Sequence, residues 1–265
     1  MNIDRKDLEL HLHRIACRGQ INEVVFNGAF ATAAITPDML LLVIAPGLNG
    51  VDPLPQEVGI ADLEKLLTAC QLFTDAGEEV GAEADVSIVD NTLVIQNQRG
   101  RCRLLTAAPK TIATRVAAET VKALEAQVGT LVVPLTRAMI EDVRDAFAGL
   151  KAEEIELSVG PEGAQIRIGG PNSDLAELEL PELKSPEAYA LTFSGHLIDV
   201  LTTVTDEDAT LLLAGPGKLI TIRDGEYSYL LSPRAPSADN KAAKPSKVQS
   251  TKAAPKKGGK KAAAR

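Results

Sequence analysis

The 265-residue chain has no tryptophan and only three tyrosines and five phenylalanines. A surface that holds nucleic acid by stacking bases on rings needs more aromatic residues than this, so stacking platforms are not expected. Cysteine is equally scarce. Cys17, Cys70 and Cys102 are odd in number, far apart and never in a Cys-x-x-Cys pair. This argues against a disulfide framework and a cysteine zinc site and leaves the three as small core or surface residues. No run approaches the roughly eighteen consecutive apolar residues of a membrane span. The polar start Met1–Lys6 also lacks the apolar stretch of a secretory signal. A cytoplasmic protein without membrane contact is the expectation.

Convergent catalytic groups are also missing. His11 and His13 stand two residues apart, so on a helix they point about 200° away from each other and cannot share a metal. His196 stands alone, and all three read as surface or capping histidines. Gly215-Pro216-Gly217-Lys218-Leu219 lacks the first Gly and the Ser/Thr of a phosphate loop, and strands flank it where that loop leads into a helix. It reads as a hairpin turn. No Gly-x-Ser-x-Gly elbow or His-Glu-x-x-His is present. No catalytic residue, cofactor or metal is expected.

Positive charge is short everywhere except at one end. The chain carries −8 overall, yet Lys241–Arg265 contains eight Lys, one Arg and no acid, leaving residues 1–240 at −17. That body repels DNA at long range. The Lys-, Ala-, Pro-, Ser- and Gly-rich tail cannot bury enough apolar surface to order itself, and it reads either as a polyanion-contacting segment for DNA or RNA or as a solubilising one.

With 45% apolar residues and a mean hydropathy of +0.02, the rest can bury one or two sizeable cores. One layout recurs in it four times: an amphipathic helix of about four turns followed by two or three short alternating strands, starting near Asp4, Ile60, Thr136 and Ser194. Leu8, Leu12 and Ile15 form the first apolar stripe, with Lys6, His13 and Arg14 on a basic outer face. Ile60, Leu63, Leu66, Leu67, Cys70 and Phe73 form the second. The third, Met139, Ile140, Val143, Phe147 and Leu150, has Thr136 as its cap, and the fourth, Leu197, Ile198, Leu201 and Val204, has Ser194. In the first half, strands are predicted at 23–26 and 30–35, joined by Asn27-Gly28, then at 39–45, 86–89, 93–96 and 101–106. In the second they fall at 130–135, 155–159, 165–168, 175–180, 188–193, 211–213, 219–222 and 227–231. An acidic loop covers 78–85, and a connector with a possible helix at 113–127 divides the halves. Similar units repeated in this way build a binding architecture more often than a catalytic one.

The order of elements, the strings Ile60-Ala61-Asp62-Leu63-Glu64-Lys65-Leu66-Leu67 and Val86-Ser87-Ile88-Val89-Asp90-Asn91-Thr92-Leu93-Val94-Ile95, and the ending Tyr227-Ser228-Tyr229-Leu230-Leu231-Ser232-Pro233-Arg234 resemble the sliding clamps of DNA replication. The resemblance covers residues 1–234. It is to the two-domain type of T4-like phages and, more distantly, to eukaryotic and archaeal PCNA. It implies an α+β DNA-clamp fold with two similar domains, 1–107 and 130–236, each with two helix-plus-strands repeats and its helices on one side of antiparallel sheets. A connector at 108–129 and a disordered basic tail at 237–265 complete the chain. Three subunits would close a ring around double-stranded DNA, with a clamp loader and a DNA polymerase as partners.

The resemblance also implies site residues. Ring closure pairs an edge strand of one domain with an edge of the next subunit, here Arg101–Thr106 with Asp174–Leu180. The opposite charges of Arg101 and Arg103 against Asp174, Glu177 and Glu179 favour cross-pairing over self-pairing, although ordinary edge protection has the same appearance. The partner-peptide pocket falls on Ile35, Leu40, Tyr229, Leu231, Ser232 and Pro233, where plain core packing is the alternative, and the better one for Leu231 and Ile35. The pore departs from the family, whose helices are Lys- and Arg-rich. Here attraction to DNA rests on Lys6, Arg14, Arg18, Lys65, Arg137, Arg144 and the tail. Two other readings stay open: a non-enzymatic β-rich scaffold tethered by its basic tail, and a small-molecule enzyme, which no residue supports.

Overall fold

Sixteen strands and five α-helices follow the predicted alternation in the computed structural model, which describes residues 2–71, 83–96, 100–169, 174–180 and 183–234. Phe73, most of the acidic loop and the basic tail lie outside the described residues. Residues 1–235 form one compact unit.

Helix α1 (Arg5–Ala16) starts where Asp4 accepts from the backbone N–H groups of Lys6 and Asp7, satisfying two of the free donors of the first turn. Its stripe of Leu8, Leu12 and Ile15 is buried as predicted, and the helix stops at Cys17, which is left-handed (φ 43°). Helix α2 (Leu63–Gln71) begins three residues later than predicted, because Ile60 belongs to a strand. Helix α3 (Ala118–Glu125) lies in the connector. Helix α4 (Arg137–Leu150) is capped by the Thr136 hydroxyl, which accepts from Met139 N. Helix α5 (His196–Thr203) does not use Ser194 as a side-chain cap: Ser194 offers its carbonyl to Leu197 N (3.2 Å), and Gly195 takes the capping position.

The strands form three sheets and a short ladder. Strands β1 (Asn2–Asp4), β6 (Glu83–Val89), β7 (Thr92–Gln96) and β8 (Arg101–Leu105) make one antiparallel sheet in that order. Strands β10 (Ile155–Val159), β11 (Ala164–Ile168), β12 (Ala176–Leu180) and β13 (Tyr189–Phe193) make a second, in the order β12-β11-β10-β13. A six-stranded sheet runs through both halves. Strands β3 (Thr32–Ile35) and β4 (Leu41–Ala45) come from the first; β9 (Leu131–Pro134), β14 (Thr210–Leu213), β15 (Ile220–Asp224) and β16 (Tyr227–Leu231) come from the second. The antiparallel pairing of β4 with β16 joins them, with Leu41 opposite Leu231 and Val43 opposite Tyr229.

Three local expectations are corrected. Strand β2 (Val24–Phe26) does not pair with β3 through Asn27-Gly28; a wider loop closed by Asn27 and Ala31 intervenes, with Phe30 at φ 67°. Strand β2 pairs with β5 (Val58–Ile60), a strand the Pro/Gly-rich stretch concealed. The last residues of the acidic loop, Glu83–Asp85, are strand, held by β1. A tight hairpin forms instead at Asp90-Asn91, where both residues have positive φ, as a type I′ turn requires, and Val89 pairs with Thr92 across it.

The connector doubles back over the first half. Ala107 N donates to Gly59 O (2.8 Å), Ile35 N donates to Thr114 O (3.0 Å), and the Thr114 hydroxyl donates to Glu23 O (2.6 Å). Any side chain at residue 59 would meet the Ala107 carbonyl at 2.6 Å, so this crossing requires glycine. The core beneath the helices includes Phe26, Phe30, Phe193 and Tyr229, each fully buried and each stabilising by about 1.5–3 kcal/mol through removal from water.

Candidate nucleic-acid interface and subunit edges

The helices pack in pairs, α1 on α2 and α4 on α5. The end of α1 reaches α5: Gln20 Nε2 donates to Asp199 Oδ2 (2.8 Å), and Arg18 Nε lies 4.0 Å from Asp199 Oδ1. Burial raises the Asp199 carboxyl above its ordinary range, against the opposing pull of Gln20 and Arg18. The result is one helical surface spanning both halves.

That surface is not basic. The helices α1, α2, α4 and α5 carry seven carboxylates against six Lys and Arg, and one of the six, Arg5, is buried with its guanidinium on Cys70 O. Each expected DNA-facing cation but one has an acidic neighbour. Lys65 pairs with Asp62 (2.8 Å), Arg137 with Glu141 (3.1 Å), Arg144 with Asp145 (3.1 Å), and Arg18 faces Asp199. The hydrogen bond from Lys65 holds the Asp62 carboxyl below its usual range and raises the ammonium in return. Only Lys6, exposed in the first turn of α1, has no acidic partner among the described residues.

Arg14 belongs to the fold rather than to the surface. Its side chain is 16% exposed and pairs at 3.2 Å with Asp224, which is 0% exposed. It also lies 4.5 Å from the centre of the Tyr227 ring and donates to the Thr205 hydroxyl. Asp224 in turn accepts from Asp206 N (2.7 Å) and Thr205 N (3.3 Å). The cluster ties α1 to the loop after α5 and to the hairpin between β15 and β16, whose Gly225 turns at φ 60°. The basic outer face expected of α1 is thereby reduced to Lys6 and His13.

The histidines are also placed differently. His11 is buried, with Nε2 2.9 Å from Phe30 O and Nδ1 2.6 Å from the Tyr227 hydroxyl. A carbonyl only accepts, so Nε2 carries the proton and Nδ1 accepts from Tyr227. Burial lowers its pKa, with Arg14 adding to the effect. His196, mostly buried, bonds to Asp38 Oδ2 (2.8 Å) in the turn after β3. Burial pushes the Asp38 carboxyl up, but hydrogen bonds from Thr36 and His196 outweigh it, and the net shift is downward. No three His, Cys, Asp or Glu converge as a metal site requires among the described residues.

Strands β8 and β12 lie at the edges of their sheets: β8 pairs with β7 and β12 with β11, each on one side only. On β8, Arg101, Arg103 and Leu105 are exposed while Cys102 and Leu104 turn inward, and Leu105 is 86% exposed. On β12, Glu177 and Glu179 are exposed while Ala176, Leu178 and Leu180 turn inward. Arg101 and Arg103 make no ion pair among the described residues, whereas Glu177 is held by Arg167 at 3.0 Å. An open groove of about 600 Å³ runs beside β12, walled by Val132, Pro134, Met139, Leu178, Leu180 and Leu183.

The six residues expected at a partner-peptide pocket are brought to one place by the pairing of β3, β4 and β16, with Ser232 N donating to Leu40 O (2.9 Å). Their exposure divides them. Tyr229 (0%) and Leu231 (1%) are core, while Ile35, Leu40, Ser232 and Pro233 are half-buried. Met39, expected to open the strand at 39–45, lies instead in the turn before β4 at φ 59° and is 71% exposed.

This arrangement of sheets and helices is similar to that of solved DNA clamps. PCNA from A. fulgidus, in a structure with the C-terminal region of FEN-1 bound, superimposes with a TM-score of 0.65 at 15% identity, covering 89% of this chain and 98% of that one. PCNA from Entamoeba histolytica gives 0.62 at 13% identity, over 87% and 96%. The DNA polymerase III subunit beta from Pseudomonas aeruginosa gives 0.61 at 15% identity, over 90% of this chain and 66% of the longer subunit. No protein-family model and no curated protein sequence matches the chain. The chain has the α+β sliding-clamp fold, and it spans nearly the full length of a PCNA subunit but about two thirds of a beta subunit.

Proposed function

We propose that the protein is a non-enzymatic sliding clamp, a processivity factor whose copies close into a ring around duplex DNA and tether a replicative polymerase. The observation that carries this reading is the pair of free sheet edges on a clamp fold. One exposes arginines and the other glutamates, with half-buried apolar residues on the inward face of both. In an antiparallel β8–β12 pairing between copies, Arg101 and Arg103 meet Glu177 and Glu179 on one face, with Asp174 just beyond the strand's start. With Arg101 opposite Glu179 and Arg103 opposite Glu177, Cys102 meets Leu178 and Leu104 meets Ala176 on the other. Cross-strand pairs of opposite charge contribute about 0.2–1 kcal/mol each and disfavour like-with-like pairing.

The near-complete coverage of PCNA supports a homotrimer of two-domain subunits, with domains at 1–107 and 130–236 that share the six-stranded sheet. The T4-like phage type rests on the sequence resemblance. A clamp loader would open the ring, and the work is cytoplasmic, in the host if the chain is phage-encoded; no helix among the described residues is long and apolar enough to cross a membrane. By the family resemblance the half-buried group Ile35, Leu40, Ser232 and Pro233 is where a polymerase or other partner peptide would dock, and the C-terminal region of FEN-1 bound to A. fulgidus PCNA supports peptide docking by this fold in general. The acid-rich helical surface favours one competing reading, a scaffold that assembles through the same edges without enclosing DNA.

Light scattering over a concentration series tests the ring. Three copies of the 28.0-kDa chain give about 84 kDa. That mass, together with processive synthesis that depends on a loader and ATP, is the expected result; a monomer on and off circular DNA sinks the clamp.

A further inference from the structure

Two hollows in this chain are built to one plan. The first lies between β1, the opening turns of α1 and the stretch after β4; it measures about 410 Å³ and is lined by Ile3, Asp7, Leu10, Leu48 and Val51. The second is the groove of about 600 Å³ between β9, the opening turns of α4 and the stretch after β12. Asp7 and Leu10 stand three and six residues beyond the Asp4 cap, and Met139 and Asp142 stand three and six beyond the Thr136 cap. One wall differs. Strand β4 has β16 beside it, and Tyr227, the first residue of β16, closes the first hollow by bonding His11 (2.6 Å). Strand β12 has no neighbour on the corresponding side among the described residues, and where α1 has His11, seven residues past the cap, α4 has buried Val143. The groove is the apolar counterpart of a closed pocket, and it lacks a wall.

We propose that the groove is a second peptide site, placed at the seam between subunits, completed by β8 of the next copy and fitted to an extended segment of alternating apolar and basic residues. The missing wall rests on the clamp reading. In the β8–β12 pairing, Arg101 and Cys102 of the next copy stand opposite Glu179 and Leu178, both of which line the groove. Its volume falls in the range of about 300–1,000 Å³ that ligand sites occupy. Val132, Pro134, Met139, Leu180 and Leu183 make the walls apolar, and Val132 is 53% exposed. An extended segment sends successive side chains to opposite sides, so its apolar side chains enter the groove while its basic ones stay at the mouth. There Asp142 is exposed and makes no ion pair among the described residues. Glu179 is answered by Arg101 of the next copy, which leaves Asp142 as the charge that meets the guest. Strand β9 pairs with β14 alone among the described residues, and its other side presents backbone groups to a guest strand. No residue is shared with the group Ile35, Leu40, Ser232 and Pro233.

The test uses the full chain and two fluorescein-labelled peptides of one composition, Leu-Lys-Phe-Lys-Leu and Lys-Lys-Leu-Leu-Phe. Binding is followed by anisotropy, with light scattering on the same samples. The alternating peptide is expected to bind about tenfold more tightly than the blocked one. Val132→Lys combined with Asp142→Lys, both at exposed positions, should weaken it about tenfold without changing the mass, and Leu40→Ala should leave it unaltered. Arg101→Glu combined with Arg103→Glu should give monomers that bind about fivefold more weakly, although the new glutamates bring negative charge nearer the lysines. The proposal is overturned if neither peptide binds, if both bind alike, if the Val132→Lys and Asp142→Lys variant binds like its parent, or if Leu40→Ala costs as much. A ring that gives any of these results loses the groove and keeps the clamp. Groove-dependent binding by a parent chain that is monomeric overturns the shared wall together with the clamp reading.

Discussion

Replacing Arg14 by alanine distinguishes a cation that serves the fold from one that serves DNA. The substitution leaves the Asp224 carboxylate fully buried without its ion-pair partner, and removing one member of a buried pair costs about 3–5 kcal/mol. Two features place the expected loss in the lower part of that range. Asp224 keeps its bonds from Asp206 N and Thr205 N, and Arg14 Nε is buried without a hydrogen-bond partner, so the native arrangement is not fully satisfied. Loss of the guanidinium over Tyr227 adds about 0.5–2 kcal/mol. A total near 4 kcal/mol is therefore expected, and with about 2–4 °C of melting temperature per kcal/mol for a body of this size, Tm should fall by about 8–16 °C. Urea unfolding followed by circular dichroism measures the loss. Asp224→Ala should be comparably damaging, and the double variant should cost less than the two singles together by more than about 1 kcal/mol. Duplex affinity of the folded Arg14→Ala protein should be unchanged. A loss below about 1 kcal/mol combined with weaker DNA binding would refute the placement of Arg14 in the fold.

Reversing charge with Arg101→Glu and Arg103→Glu should shift the oligomer toward monomer by tenfold or more in concentration, and adding Glu177→Arg and Glu179→Arg should restore it; an unchanged mass by light scattering would reject the β8–β12 pairing. Leu231→Ala should destabilise the body by about 2–5 kcal/mol because the residue is core, whereas Leu40→Ala or Pro233→Ser should leave Tm nearly unchanged and weaken capture of a partner peptide. His11 has a lowered pKa in the folded chain, so the unfolded chain binds the extra proton first. Its contribution is intact above the unfolded value near 6.5 and is lost as pH falls below it toward the folded value. Urea midpoints between pH 8 and pH 5 should drop more steeply for the parent than for His11→Gln, and parallel curves would exclude His11 as the cause.

Much of the fold was legible along the chain because amphipathic periods and turn chemistry act locally. Leu8, Leu12 and Ile15, the stripe Met139 to Leu150, the Thr136 cap, and strands such as Ile155–Val159 and Tyr227–Leu231 each declare themselves within a few residues. The edge positions of β8 and β12 were anticipated through the family resemblance, and the charges they expose were visible in the sequence. Strands β1 and β5 were missed. Three residues are too few for a period to show, and both depend on partners far away in sequence, Glu83–Asp85 for β1 and Val24–Phe26 for β5.

The sequence by itself determined the pattern: a repeated helix-and-strand body of net negative charge, followed by 25 residues that hold nine of the 28 lysines and arginines and no acid. Tertiary structure alone decided which charges remain available. Arg14 and Lys6 are both cations of one helix, yet one is folded against an aspartate 210 positions away while the other stays in water. Tyr229 and Leu231 share a strand with the approach to the half-buried Pro233, yet the pairing of β4 with β16 seals them in the core. Burial and ion pairing are set by chain segments remote in sequence, and the local pattern of residues carries no record of those partners.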